Sequence, residues 1–160
     1  MVDSYGSCSQ RSCAPKEPPN NCYTQIAPKY KFFLAFENTL CKDYVTEKLF
    51  EALRHPWVPI VFGAANYSEH APPNSIINAM DYKPEQLAQL IKELDKNVTR
   101  YLEYFEWKKT HEVMPQYSYG CEMCKKLKEW KSTNPPKNHV YGDFNDWWVT
   151  KAQCKGRYNL

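Results

Sequence analysis

The sequence predicts an α/β fold, and three observations carry that expectation. Two apolar runs, Lys31 to Phe36 and Val58 to Phe62, end in Glu37-Asn38 and in Gly63, and both suit strands of a sheet covered on its two faces. Between them, from about Tyr44 to Arg54, Val45, Leu49, Phe50 and Leu53 recur at helical spacing, with Asp43 or Thr46 available as a cap and Pro56 as a stop. Strand, helix and strand in that order form a βαβ unit with a right-handed crossover. Ligands of open α/β sheets sit outside the carboxyl ends of the strands, where Glu37, Asn38 and Gly63 fall.

The remaining elements follow in order. Val2 to Gly6 is strand-like, and residues 7–29, rich in Cys, Pro and Asn, read as a loop. Ser75 to Met80 is a short strand after the Pro72-Pro73 turn. Pro84 opens a helix carrying Leu87, Leu90, Ile91 and Leu94, and a further helix spans about Val98 to Trp107 with Tyr101, Leu102, Tyr104 and Phe105. These stripes are core packing, with nothing in their spacing to indicate an aromatic sugar platform. Pro135-Pro136 marks a break, so residues 1–134 form the domain and residues 135–160, with Trp147 and Trp148, a carboxy-terminal tail.

Composition narrows the classes. The chain has 160 residues, 42% hydrophobic and 24% charged, enough for one ordinary globular core. Its net charge of +3 is mild and its lysines are scattered, which speaks against a nucleic-acid partner. No apolar run approaches the roughly 20 residues needed to span a bilayer, so a complete chain of this sequence would be soluble and cytosolic. His55, His70, His111 and His139 lack metal-ligand spacing, and no Asp-x-Asp triplet is present to hold a divalent cation. The cysteine count is odd, at seven, so at least one is unbridged or pairs with another chain.

The helix start indicates the ligand class. Unpaired N–H groups and a partial positive charge gather at a helix N-terminus, so the segment from Asp43 to Lys48 is placed to meet phosphate. Lys48 adds a full charge, while Glu47 accepts hydrogen bonds from sugar or ribose hydroxyls. That combination suits a nucleotide-sugar. The plainer reading, a solvated Glu-Lys pair on a helix face, stays open on spacing alone.

Read as whole blocks, FENTLCKDYVTEKLFEAL, VPIVFGAANY, APPNSIINAMDY and the late CEMC resemble the carboxy-terminal signature of the α-1,3-fucosyltransferases, with spacing kept between blocks from Val2 to Trp148. The resemblance implies the Rossmann-like donor half of a two-domain GT-B glycosyltransferase. It implies inverting transfer of fucose from GDP-β-L-fucose to a GlcNAc hydroxyl of a glycan in α-1,3 linkage, without a cofactor or metal. By position, Asn38 and Lys48 would serve the diphosphate region, Glu47 fucose or ribose hydroxyls, and Tyr44 the pocket wall. The general base and a phosphate-binding arginine belong to the upstream part of such enzymes. The chain therefore looks truncated at its amino-terminal side, without the membrane anchor that holds the family in the Golgi.

A non-catalytic nucleotide-sugar-binding module is the alternative. The family's oxidising compartment makes Cys121 with Cys124 and Cys8 with Cys13 the candidate disulfides. A weaker alternative uses the same four thiolates for zinc, as an interaction domain. Asn66-Tyr67-Ser68 and Asn97-Val98-Thr99 fit the N-glycosylation pattern of a luminal glycoprotein.

Overall fold

Alternation along two short strands decides the layering. The computed structural model describes residues 2–6, 9–13, 22–114, 119–132, 140 and 142–155. Strands β1 (Phe32–Phe36), β2 (Val58–Phe62) and β3 (Ile77–Asn78) form one parallel sheet in that spatial order. The register pairs Phe32 with Val58 through Phe36 with Phe62, then Ile60 with Ile77 and Val61 with Asn78. Successive strand residues point to opposite faces. Ala35 and Val61 meet Leu49 and Leu53 of helix α2 (Glu47–Arg54) on one face, together with Tyr67 and Trp107. Val58, Ile60 and Ile77 meet Leu94 on the other, with Leu87, Leu90 and Ile91 packed around it.

Pro59 sits in the middle strand, where a missing N–H normally costs a ladder bond. Val58 N donates to Lys31 O on the β1 side at 2.9 Å, so the next nitrogen faces β3. There the pairing begins only at Ile60 with Ile77, and the proline leaves no bond unmade.

The second face is closed by α3 (Pro84–Lys96) and α4 (Val98–Glu103). Lys31 Nζ lies 2.9 Å from Asp95 Oδ1, and Tyr101 Oη donates to Lys31 O at 2.9 Å, pinning both helices to the start of β1. A short helix α1 (Cys22–Ile26) leads into a third cluster, in which Trp57 stacks on Phe33 with centroids 4.9 Å apart and donates to Ala27 O at 3.2 Å. Helix α5 (Tyr119–Ser132) and a π-helical turn, Asp146–Lys151, follow late in the chain. Among the described residues, no helix is long and apolar enough to cross a membrane.

Four sequence expectations are corrected. The stretch Val2 to Gly6 has no strand; Asp3 instead accepts from Tyr30 Oη at 2.7 Å. The cysteine-rich loop contains α1, tied down by a disulfide between Cys13 and Cys22 with Cα atoms 5.2 Å apart. The third strand is cut to two residues because the Asn78 side chain accepts from Met80 N and folds the chain into a turn. Finally, α4 stops at Glu103, where Tyr104 and Phe105 bond back three residues; the following turn, Glu106–Lys109, is 3-10.

The cysteine pairing also differs from expectation. Cys13 takes Cys22, which removes it from both the Cys8 pairing and the four-thiolate zinc set; Cys8 lies outside the described residues. Cys121 and Cys124 are both exposed on α5 and are not joined to each other. Residues three apart on a helix hold their Cβ atoms about 5–6 Å apart, beyond the roughly 3.5–4.5 Å a disulfide spans. A second disulfide, Cys41 to Cys154, crosses 113 residues of chain.

Candidate functional site at the start of helix α2

The carboxyl edge of the sheet is built around one buried carboxylate. Glu37 ends β1, and its N–H donates to Phe62 O at 2.9 Å, which locks it beside Gly63 at the end of β2. Its side chain is only 1% exposed. Thr46 N donates to Oε1 and Thr46 Oγ1 to Oε2, each at 2.8 Å, and Lys48 Nζ lies 3.3 Å from Oε2. Lys48 also reaches Thr46 Oγ1 at 3.2 Å. A carboxylate this far from water requires such partners, and here they are the backbone and side chains at the start of α2.

This arrangement explains where α2 begins. The sequence spacing admits a start near Tyr44, but Thr46 is held extended, at φ −116° and ψ −177°, so the helix opens at Glu47. Thr46 is the N-cap by position without capping through its own oxygen, which is turned toward Glu37, to which it donates, and accepts from Lys48 Nζ. Asp43, the other sequence candidate, turns the loop with a left-handed φ of 59°.

The four residues singled out from the sequence share this rim. Asn38 is exposed directly after Glu37, Tyr44 is half-buried in the loop with its N–H on Cys41 O at 3.3 Å, and Glu47 and Lys48 occupy the first turn. Glu47 points to solvent, whereas Lys48 is 26% exposed and bridges the buried Glu37 and the surface. The loop is braced from outside. Cys41 is bonded to Cys154, Lys42 N donates to Ala152 O at 2.7 Å and Lys155 N to Leu40 O at 2.9 Å.

Two groups escaped the sequence reading. Glu37 stood at the predicted crevice without a role; its signal is a lone acid ending an apolar strand, with Thr and Lys opposite on the next element. Tyr67 carried no signal beyond a sequon. Its ring is in the core, 6% exposed, and its hydroxyl is buried without a hydrogen-bond partner among the described residues. Burial, with the charge of Glu37 nearby, pushes that hydroxyl's pKa up to about 12.

Tyr67 also lines a cavity of about 650 Å³ beyond β2 and β3, walled by Asn66, Asn78, Asp81, Arg100 and Tyr104. Of the histidines, His55 packs in an aromatic corner, 4.8 Å from Trp57 and 6.0 Å from Tyr23, while His139 lies outside the described residues. No group of three or more metal-ligating side chains gathers among the described residues. Asn66 and Asn97 are both exposed, each with its side-chain oxygen accepting from a backbone N–H, of Ser68 and Arg100 respectively.

Comparison with known proteins gives this edge a family. The chain is 38% identical over 160 residues to alpha-(1,3)-fucosyltransferase C of Drosophila melanogaster, covering 99% of this chain and 36% of that protein. Against 3-galactosyl-N-acetylglucosaminide 4-alpha-L-fucosyltransferase FUT3 of Homo sapiens it is 40% identical over 153 residues, covering 92% and 40%. GDP-fucose protein O-fucosyltransferase 3 of Xenopus laevis is 43% identical over 115 residues, covering 67% and 24%. The chain thus spans well under half the length of these curated relatives. The family model described as glycosyltransferase family 10 (fucosyltransferase) C-term matches residues 1–147, and the chain belongs to that family.

Proposed function

We propose that this chain is the GDP-fucose-binding half of an inverting fucosyltransferase, with the donor's diphosphate at the start of α2. The observation that carries it is the cation at that helix start: the Lys48 side chain is 26% exposed at the rim, with its ammonium held on Glu37 and Thr46. The relatives support a donor role for this segment. Their names share fucosyl transfer but differ in linkage and acceptor, a galactosyl-N-acetylglucosaminide in one and a protein hydroxyl in another. A segment common to all of them carries what they share, the donor, while acceptor choice belongs elsewhere.

In this reading Lys48 and the N–H groups of the first turn oppose the charge that grows on GDP as the sugar–phosphate bond breaks. They act on catalysis because they bind the departing diphosphate more strongly than the ground state. Asn38 assists at the diphosphate, Glu47 accepts from fucose or ribose hydroxyls, and Tyr44 forms the wall. Transfer to a GlcNAc hydroxyl in α-1,3 linkage needs a base within about 2.6–3.2 Å of the acceptor oxygen. No carboxylate of this chain is matched to that role, so turnover belongs to the longer protein, with residues 135–160 as a tail. The scheme needs no metal or cofactor. The disulfides fit an oxidising lumen such as the Golgi, and exposed Asn66 and Asn97 are available there for glycosylation.

Calorimetric titration of the oxidised chain with GDP-fucose, against ADP-glucose, tests the reading. Selective binding is expected, and Lys48→Ala should weaken it about 10- to 100-fold, the scale of one charge-assisted hydrogen bond. Equal affinity for the two nucleotide-sugars would rule out a donor site of this kind.

A further inference from the structure

Glu37 has three donors on it and a fourth beside it that is not used. A Cβ placed on Gly63 would lie 2.3 Å from Tyr67 Oη and 3.3 Å from Glu37 Cγ, so the hydroxyl and the Glu37 side-chain stem flank the same point above that glycine, and the Glu37 charge is near enough to act on the hydroxyl. The hydroxyl is buried and has no hydrogen-bond partner among the described residues. Leaving a buried donor unpaired is costly, and fold stability alone would favour phenylalanine at this position.

The neighbouring ion pair supplies a use for it. Lys48 is tethered to Glu37 and Thr46, yet a lysine that meets a diphosphate must turn its ammonium outward. Glu37, sealed from water, then loses its one charged partner among the described residues. That loss would loosen the acceptor that fixes Thr46 and the opening of α2 at the moment the helix start is needed. We propose that Tyr67 is a positioning residue that takes over Glu37 when Lys48 leaves for the diphosphate, a role that rests on the donor-site reading.

The geometry suits a small movement. Tyr67 is anchored in the core against Ala35, Leu49 and Val61, and Gly63 leaves the space between its hydroxyl and the stem of the Glu37 side chain without a side chain. The hydroxyl keeps its proton at neutral pH and so can donate. Each state of the site then satisfies Glu37, by Lys48 when empty and by Tyr67 when filled.

A stability cycle and a titration on the 160-residue chain test this together. In the unliganded wild type, Tyr67→Phe is expected to leave the denaturation midpoint equal or higher, because an unpaired hydroxyl is removed. In a Lys48→Ala background the hydroxyl is already engaged, and the same substitution should lower the midpoint. An identical effect in both backgrounds overturns the hand-over. If Lys48→Ala does not fold, Lys48→Met keeps the apolar stem and serves instead.

With GDP as the probe, Tyr67→Phe should weaken binding about tenfold while the fold is kept. Unchanged affinity in a variant that still binds GDP overturns the role of Tyr67 alone. Absence of GDP binding by the folded wild-type chain overturns the donor site, and the hand-over to ligand falls with it.

Discussion

Gly63 shows how a single residue holds the site's two halves at the right separation. No side chain fits there, since Tyr67 Oη would stand 2.3 Å from an added Cβ, closer than atoms can approach. Gly63→Ala should therefore displace Tyr67 or Glu37 and cost about 1–3 kcal/mol, the usual range for overpacking. Adding Tyr67→Phe to that variant removes the nearest atom, and the next ring carbon is at 3.4 Å, so part of the loss should return in a denaturant melt. No recovery would place the strain on Glu37 instead. Glu37 itself was legible in the sequence only as the last residue of a strand. That it accepts from Thr46 and Lys48 depends on the α2 crossover bringing residues nine and eleven positions away back to the strand end.

At the level of elements, the apolar period foretold which faces meet. Leu94 was read as part of the α3 stripe and is fully buried against Val58, Ile60 and Ile77. Leu94→Ala should cost about 2–5 kcal/mol, measured by chemical denaturation, with α2 and the site's own contacts untouched.

The corner between α2 and β2 carries a pH dependence. Burial holds the His55 pKa below its ordinary value; Glu51 pulls it up, while Lys108 and Arg54 push it down further. A histidine depressed in the folded state contributes stability that is complete above its unfolded pKa, about 6.5, and is lost as pH falls through the lowered folded value. The denaturation midpoint should drop on acidification through this window, and the drop should shrink in His55→Phe. An equal drop in that variant would assign the effect to another group. Element ends were less legible than element interiors, because the side chains of Glu37 and Asn78 end or delay regular structure through bonds that no period reveals.

For the whole molecule, the Cys41–Cys154 disulfide matters most. It ties the late chain to the loop that leads into α2, across 113 residues, beside two backbone hydrogen bonds. Loops of about 100 residues or more lie at the upper end of disulfide stabilisation, and Cys154→Ser should cost about 2–5 kcal/mol. Limited proteolysis should then cut within residues 142–155 faster than in the oxidised parent, and GDP affinity should fall because the Lys42–Tyr44 segment loses its brace. Unchanged proteolysis would mean that the hydrogen bonds alone hold the segment.

The sequence by itself determined the α/β class, the order of strand, helix and strand, both buried faces and the rim that holds Asn38, Tyr44, Glu47 and Lys48. The class, the order and the faces rest on local period and chain direction, which residue spacing encodes, whereas the four rim residues come from the resemblance of their motif to the family. Only the tertiary structure decided the cysteine partners, the burial of Glu37 and the unpaired hydroxyl of Tyr67. Each of those depends on side chains from separate elements meeting at one point, and spacing along the chain carries no record of distances between elements.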